Sequence, residues 1–355
     1  MRALYESKSG ERGVFSRVAA QKVAARNGRR DSEQEFGTNP CSEIILRPNQ
    51  FCNLTEVVVR AEDTLDDLKE KVRKAAILGT LQATLTDFRY LRSIWKKNTE
   101  EEALLGVSLT GIMDHPVLSG RNDAFFGSSV SEPLSDWLQE MRDVAIETNK
   151  VWAERLGINP AAAITCVKPS GTVSQIVISA SGIHPRYARH YVRTVRADIK
   201  DPLSQYMEHA GFPVERDVTN DGVNVFAFPV RAPAESVTVS EVGAMEQLKL
   251  WKVYQDNWCE HKPSITVYYK DSEFLPICAW MWDNFDSLSG ISLLPYSDHT
   301  YQQAPYQEID EATFCELESQ MPQFDWEAAA LFEGGTDQTL GSQELACVGG
   351  ACELP

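Results

Sequence analysis

GTNPCSEIILRPNQFCNLTEVVVR, residues 37–60, is the stretch on which the fold reading turns. Gly37, Pro40 and the Pro48-Asn49 pair punctuate it, and β-branched and apolar residues fill the gaps. It therefore reads as loop, strand, loop, strand. Pro40 biases Asn39 to an extended backbone. If the extension continues, Asn39, Cys41 and Glu43 share one side of the chain, because successive side chains alternate. An amide, a thiol and a carboxylate would then converge on one small volume. That set suits hydrogen removal by sulfur with proton transfer to the carboxylate. An isolated Cys-x-Glu is more ordinarily a buried structural cysteine with a surface glutamate. Cys52, taken alone, reads as inert strand packing.

Working outward, helical propensity surrounds FSRVAAQKVAARNGRR in the basic first 30 residues. Residues 62–98 read as a long amphipathic helical region, capped by Asp63 or Thr64, with Leu65, Leu68, Val72, Ala75 and Leu78 at helical spacing. A second helical region covers about 133–156. AAAITCV, from residue 161, reads as a buried strand running into Lys168-Pro169-Ser170-Gly171-Thr172, a tight polar turn. Backbone N–H groups and two hydroxyls at Pro169, Ser170, Gly171 and Thr172 can cradle a phosphate, although such a turn is more often only a turn. Residues 241–258 look helical, SITVYYK looks like a strand, and 290–306 looks like an ordered aromatic loop. Strands alternating with helices indicate an α/β architecture.

The 355 residues carry a net charge of −17 with 43% hydrophobic content. That surface repels nucleic-acid phosphates, so no polynucleotide partner is expected. No apolar run reaches membrane-spanning length and no secretory signal opens the chain, so no membrane is expected and a cytoplasmic location is. The eight cysteines are irregularly spaced and form no Cys-x-x-Cys pair, which argues against a structural zinc site. Cys347 and Cys352 lie four small residues apart in ELACVGGACELP. On a tail they suit a thiol–disulfide shuttle, against the plainer reading of two unimportant tail cysteines.

Asn-Pro-Cys-x-Glu followed at this interval by Phe-Cys-Asn-Leu resembles the active-site loop of ribonucleotide reductases. LYESKSGERGVFSR upstream, then GVSLTGIMD and KPSGTVSQIVISASGIHPRYARHYVR, fall in that family's order, and the resemblance covers nearly the whole chain. It is nearest to the monomeric adenosylcobalamin-dependent (class II) triphosphate reductases, which GISLLPYSDHTYQQAPYQ and the Cys-x4-Cys tail also resemble. The resemblance implies the C-terminal half of a ten-stranded α/β barrel, with the radical cysteine on an inner loop, then a cofactor-binding region and a mobile redox tail. The expected division is 1–195 for the half-barrel with radical loop and phosphate turn, 196–333 for the remaining barrel and cobalamin-contacting region, and 334–355 for the tail.

The same resemblance implies the roles. Cys41 would be the thiyl site, oxidised with the help of adenosylcobalamin, and would take the ribose 3′ hydrogen. Glu43 would accept the 3′-hydroxyl proton, and Asn39 would hydrogen-bond the ribonucleotide. Cys52 would be one of two reducing cysteines, and Cys347 and Cys352 would restore them, reset by thioredoxin or a similar dithiol. Ser170-Gly171-Thr172 matches the phosphate turn. Tyr296, Asp298, His299, Tyr301 and Gln303 are the candidate cobalamin contacts. No Asp-x-His-x-x-Gly motif surrounds His299, so it is not expected to bind cobalt, and no metal ligand is expected elsewhere.

The second reducing cysteine, the specificity site and the effector site belong to the family's N-terminal half. Met1 stands just upstream of LYESKSGERG, so the expectation is a split-gene product or excised fragment that works with a separate chain supplying that half. Half a barrel exposes a sheet edge and an apolar face, which would make that partner obligatory. Competing readings are a class I large-subunit fragment, with Tyr268-Tyr269 as a radical relay, a non-catalytic module docking on a reductase, and a generic thiol oxidoreductase using only the tail. Tyr268 and Tyr269 more simply fall on opposite faces of a strand.

Overall fold

The computed structural model describes residues 2–7, 13–121, 132–296 and 303–333. Its strands, in chain order, are β1 (Gly13–Phe15), β2 (Gly37–Thr38), β3 (Ile45–Leu46), β4 (Asn53–Val58), β5 (Leu105–Thr110), β6 (His190–Asp198), β7 (Val214–Arg216), β8 (Val223–Arg231), β9 (Thr266–Tyr269), β10 (Gly290–Pro295) and β11 (Tyr306–Glu308). Two compact units emerge. The large one holds the chain up to Arg186 and then Glu235–Tyr296, and the small one holds Tyr187–Ala234 and the described residues after Tyr296. The units do not follow chain order, and residues 235–296 belong to the large unit, where β9 and β10 pair.

The frame of the large unit is a run of parallel segments. β4 pairs with β5 in parallel register, Asn53 opposite Leu105 and Val58 opposite Thr110. β5 continues onto residues 163–167 through Val107 N donating to Ile164 O at 2.8 Å and Cys166 N to Val107 O at 3.1 Å. That segment continues onto 262–264 through Ser264 N donating to Val167 O at 2.9 Å. β9 then pairs in parallel with β10, and β1 closes that edge antiparallel. No closure into a barrel occurs among the described residues.

Every residue of β5 is buried, as a strand covered on both faces requires. Helix Leu65–Gln82 packs on β4, on β5 and on helix Glu132–Leu156. Thr64 caps it in a reciprocal capping box with Asp67, which satisfies two otherwise orphaned N–H groups. Asp63, the other candidate cap, instead pairs with Lys71 at 2.5 Å. The expected helical region of 62–98 is two helices, Leu65–Gln82 and Ser93–Glu102. The expected inward stripe holds for Leu68, Val72 and Ala75, but Leu78 is 61% exposed. Ala76 and Gly79 face inward in its place. A Cβ on Gly79 would lie 3.2 Å from the Leu105 side chain, so the helix packs closely on β5 there.

Residues 290–306, read from sequence as a loop, begin instead with strand β10. Its proline and glycine suggested punctuation, yet Ile291 and Leu293 alternate into the core. In β9, Tyr269 is buried and Tyr268 half-buried, as strand neighbours should be. Helix Ala244–Asn257 fixes two of the parallel segments from outside. Trp251 Nε1 donates to Pro263 O and Trp258 Nε1 to Cys166 O, both at 2.8 Å. Each indole is buried with its one donor satisfied.

The small unit is an antiparallel sheet in the order β11-β6-β8-β7. Helix Glu311–Gln320 packs on β6 and β8, and helix Trp326–Glu333 packs on helix Pro202–His209. No helix among the described residues is long and apolar enough to cross a membrane. The expected redox tail, with Cys347 and Cys352, lies outside the described residues.

Candidate active site

The loop of residues 39–44 is a turn rather than an extended run. Ser42 N donates to Asn39 O at 2.9 Å, and Ser42 sits at φ 67°. The alternation argument for Asn39, Cys41 and Glu43 therefore fails locally, because a left-handed residue between Cys41 and Glu43 reverses the chain. The Asn39 side chain closes the turn, its Oδ1 accepting from Ile44 N at 3.0 Å.

Long-range contacts do the positioning instead. Ser264 Oγ donates to Cys41 O at 2.5 Å, and Lys262 N donates to Glu43 O at 3.2 Å. Lys262 Nζ donates to Ser42 Oγ at 2.9 Å. Gly290, which opens β10, makes room for that bond, since a Cβ there would stand 2.3 Å from Lys262 Nζ. His261 anchors the far side. Its Nε2 donates to Leu105 O at 2.9 Å and its Nδ1 accepts from Ile45 N at 3.3 Å. Burial, reinforced by Arg30, pulls its pKa down to about 3 and keeps the ring neutral for this bridging role. A buried network completes the frame, with Glu102 accepting from Arg30 Nη2 at 2.9 Å and from Gln50 Nε2 at 2.6 Å.

Glu43 is completely buried. Its Oε1 accepts from Lys168 Nζ at 3.0 Å, while its Oε2 has no partner among the described residues. Burial opposes the charge on Lys168, but Glu43 outweighs it and raises the lysine pKa, with Cys41 and Cys166 adding to the effect. The half-buried Cys41 thiol thus stands within electrostatic reach of the same ammonium that holds Glu43. Burial pushes the Cys52 and Cys166 thiols up, and the Glu43 charge pushes further. They are held as S–H, the form that gives hydrogen or electron equivalents rather than attacking as thiolate. All six cysteines among the described residues are free.

The turn at Pro169–Thr172 follows Lys168 directly. Ser170 is buried, and its Oγ donates to Glu56 Oε2 at 2.9 Å and accepts from Ser174 N at 3.1 Å. Burial raises the Glu56 pKa, against the pull of Ser170 and Lys168. Gly171 and Thr172 are exposed, and the Thr172 hydroxyl makes no cap bond. The segment beyond is braced by a bidentate pair, Arg186 Nε to Asp114 Oδ1 at 2.9 Å and Nη2 to Oδ2 at 2.7 Å. The motif residues of GIMD and GIHPR are thus structural partners.

The structure places the loop of Asn39, Cys41 and Glu43 and the Pro169–Thr172 turn in one unit, joined by the Lys168–Glu43 ion pair, with Cys52 just ahead of β4. Of the candidate cofactor contacts, Tyr296 follows β10 with Lys270 6.0 Å from its ring. Gln303 is buried in the small unit, where its Nε2 donates to Arg216 O at 2.7 Å and its Oε1 accepts from Val218 N at 3.0 Å. Its amide is engaged by the protein itself and does not fit a cofactor contact. Asp298, His299 and Tyr301 lie outside the described residues. Sequence reading missed Lys168, Lys262, Ser264, Gly290 and His261. Only the two lysines carried a signal, each as a cation next to a proline at a strand end.

This chain, with a cysteine and a buried glutamate on a loop of its mixed α/β frame, is similar to ribonucleotide reductases in sequence and in fold. The solved structure of a B-12-dependent (class II) ribonucleotide reductase matches with a TM-score of 0.72 at 23% identity, covering 84% of this chain and 44% of that one. Among curated proteins, the adenosylcobalamin-dependent ribonucleoside-triphosphate reductase of Lactobacillus acidophilus is 29% identical, covering 90% of this chain and 45% of its own length. That of Lacticaseibacillus paracasei is 28% identical, covering 99% and 50%. The chain spans about half the length of the curated relatives it matches. No family model matches it.

Proposed function

We propose that this chain provides the radical loop and phosphate turn of an adenosylcobalamin-dependent ribonucleoside-triphosphate reductase. The cofactor, when bound, supplies the oxidising equivalent that converts the Cys41 thiol to a thiyl. Cys41 then takes the 3′ hydrogen of the ribose. Glu43 accepts the 3′-hydroxyl proton at Oε2, and the Asn39 amide nitrogen donates to the substrate. The 2′-hydroxyl leaves as water, Cys52 and a second cysteine of the reductase give two electrons and become a disulfide, and Cys41 returns its hydrogen atom to C3′ and is left as the thiyl again. Cys347 and Cys352 would reduce that disulfide and be reset by thioredoxin or a similar dithiol. Gly171 and Thr172 would hold the phosphates. Tyr296, Asp298, His299 and Tyr301 are the candidate contacts to the cofactor.

The observation that carries this reading is Glu43, a fully buried carboxylate with one oxygen paired and the other unpartnered. An unsatisfied buried acceptor is costly unless a ligand meets it. The test is reconstitution. The chain is co-expressed with the N-terminal half of a related reductase and assayed for deoxynucleotide formation with adenosylcobalamin, dithiothreitol and each ribonucleotide, beside a Cys41→Ala control. Cofactor-dependent turnover that the control abolishes supports the reading. Turnover only with a metal-radical subunit would move the chain to class I, and silence in both with associated halves would leave a non-catalytic module.

A further inference from the structure

Lys168 meets Glu43 across 125 residues of sequence. Its backbone is fixed on both sides. Lys168 N donates to Ser108 Oγ at 2.8 Å. On the other side Gly182, at φ 54°, comes so close that a Cβ there would lie 2.4 Å from Lys168 O. The side chain therefore leaves a rigid base, and it is one-third exposed where Glu43 is not exposed at all. The next four residues are the phosphate turn, so carboxylate partner and phosphate cradle share one short segment.

Other groups face Glu43 from each neighbouring element. Cys41 lies on its own loop, Cys52 precedes β4, Cys166 lies on the strand of Lys168, and Lys262 precedes β9. β5 contributes the uncharged Ser108 and β10 the side-chain-free Gly290. Glu56, on β4, acts on Lys168 from the far side. Lys262 Nζ donates to Ser42 Oγ, and burial pulls its pKa to about 7, so it is a weak counter-charge near neutrality. Lys168 is the cation that bonds the carboxylate directly.

We infer that Lys168 is a positioning residue whose ion pair with Glu43 pins Oε1, leaving Oε2 as the oxygen offered to the substrate hydroxyl. The inference rests on the reading of Glu43 as the substrate base. Without Lys168 the buried Glu43 carboxylate would lose its ion-pair partner, and a buried charge left uncompensated is costly.

The test reads the carboxyl itself. The protonated Glu43 band is followed by infrared spectroscopy against pH in the full chain and assigned by its loss in Glu43→Gln. Lys168→Met should raise the protonation midpoint above wild type by about one to three pH units, and Lys168→Arg should restore it. In the reconstituted enzyme the acid limb of the kcat/KM profile should move up by the same interval. A Lys168→Met chain that folds and titrates like wild type overturns the inference. Should Lys168→Met fail to fold, the Lys168→Met/Glu43→Gln pair decides. Recovery of the fold shows that an uncompensated charge was the fault, and continued unfolding shows that packing was, which overturns the inference. The infrared titration needs no turnover, so inactivity on reconstitution removes the functional reading without removing the Lys168–Glu43 pairing.

Discussion

Lys262→Met isolates a buried lysine beside the Cys41 loop. Lys262 is 1% exposed, and burial lowers its pKa from 10.5 to about 7 despite help from Glu43 and Cys259. The unfolded chain therefore binds a proton that the folded chain does not, between about pH 7 and 10.5, and stability rises with pH across that window. Below it the folded state carries the full penalty, and above it none. At 1.36 kcal/mol per pKa unit the penalty is roughly 5 kcal/mol. Methionine has nearly the same shape and no charge, and the variant loses the bond to Ser42, worth about 1 kcal/mol. The variant should therefore be more stable than wild type by about 4 kcal/mol at pH 7, with the advantage vanishing near pH 10. Urea unfolding followed by tryptophan fluorescence, with Trp251 and Trp258 buried in the same unit, measures both proteins at each pH. A difference that stays constant with pH would refute the reasoning, because it would mean that Lys262 does not titrate between the folded and unfolded states.

Two further outcomes probe the frame of the site. Gly290→Ala places a methyl 2.3 Å from Lys262 Nζ and should destabilise the large unit by about 1–3 kcal/mol. In the Lys262→Met background most of that cost should disappear, which the same urea titration would detect. Arg186→Met strands the buried Asp114 carboxylate and should cost about 3–5 kcal/mol, with hydrogen exchange rising first at Ala180, whose N–H donates to Asp114 at 2.7 Å.

Much of this protein is local and was legible as such. The capping box at Thr64 and Asp67, the strand after Phe51 and the helices near 133–156 and 241–258 depend on neighbours a few residues apart, so their spacing reveals them. The order of the motifs that hold Cys41, Glu43 and the Lys168–Thr172 turn was also written in the chain. The local geometry of the loop was not. Alternation predicted an extended Asn39–Glu43, and a left-handed Ser42 replaced it.

That replacement shows where sequence stops. Ser42 takes its conformation in a loop gripped by Lys262, 220 residues away, and Gly290 makes the grip possible. The identity of the Glu43 partner likewise waits on parallel pairing that brings residues 163–168 beside β5 and 262–264 beside them. Parallel neighbours are joined by long crossovers, so nothing in the spacing of the chain names them. Composition, motifs and caps were fixed by residues within a few positions of one another. The buried ion pair, the neutral histidine bridge and the order of the strands were decided by tertiary structure, because each depends on which distant segments the core brings into contact and dries.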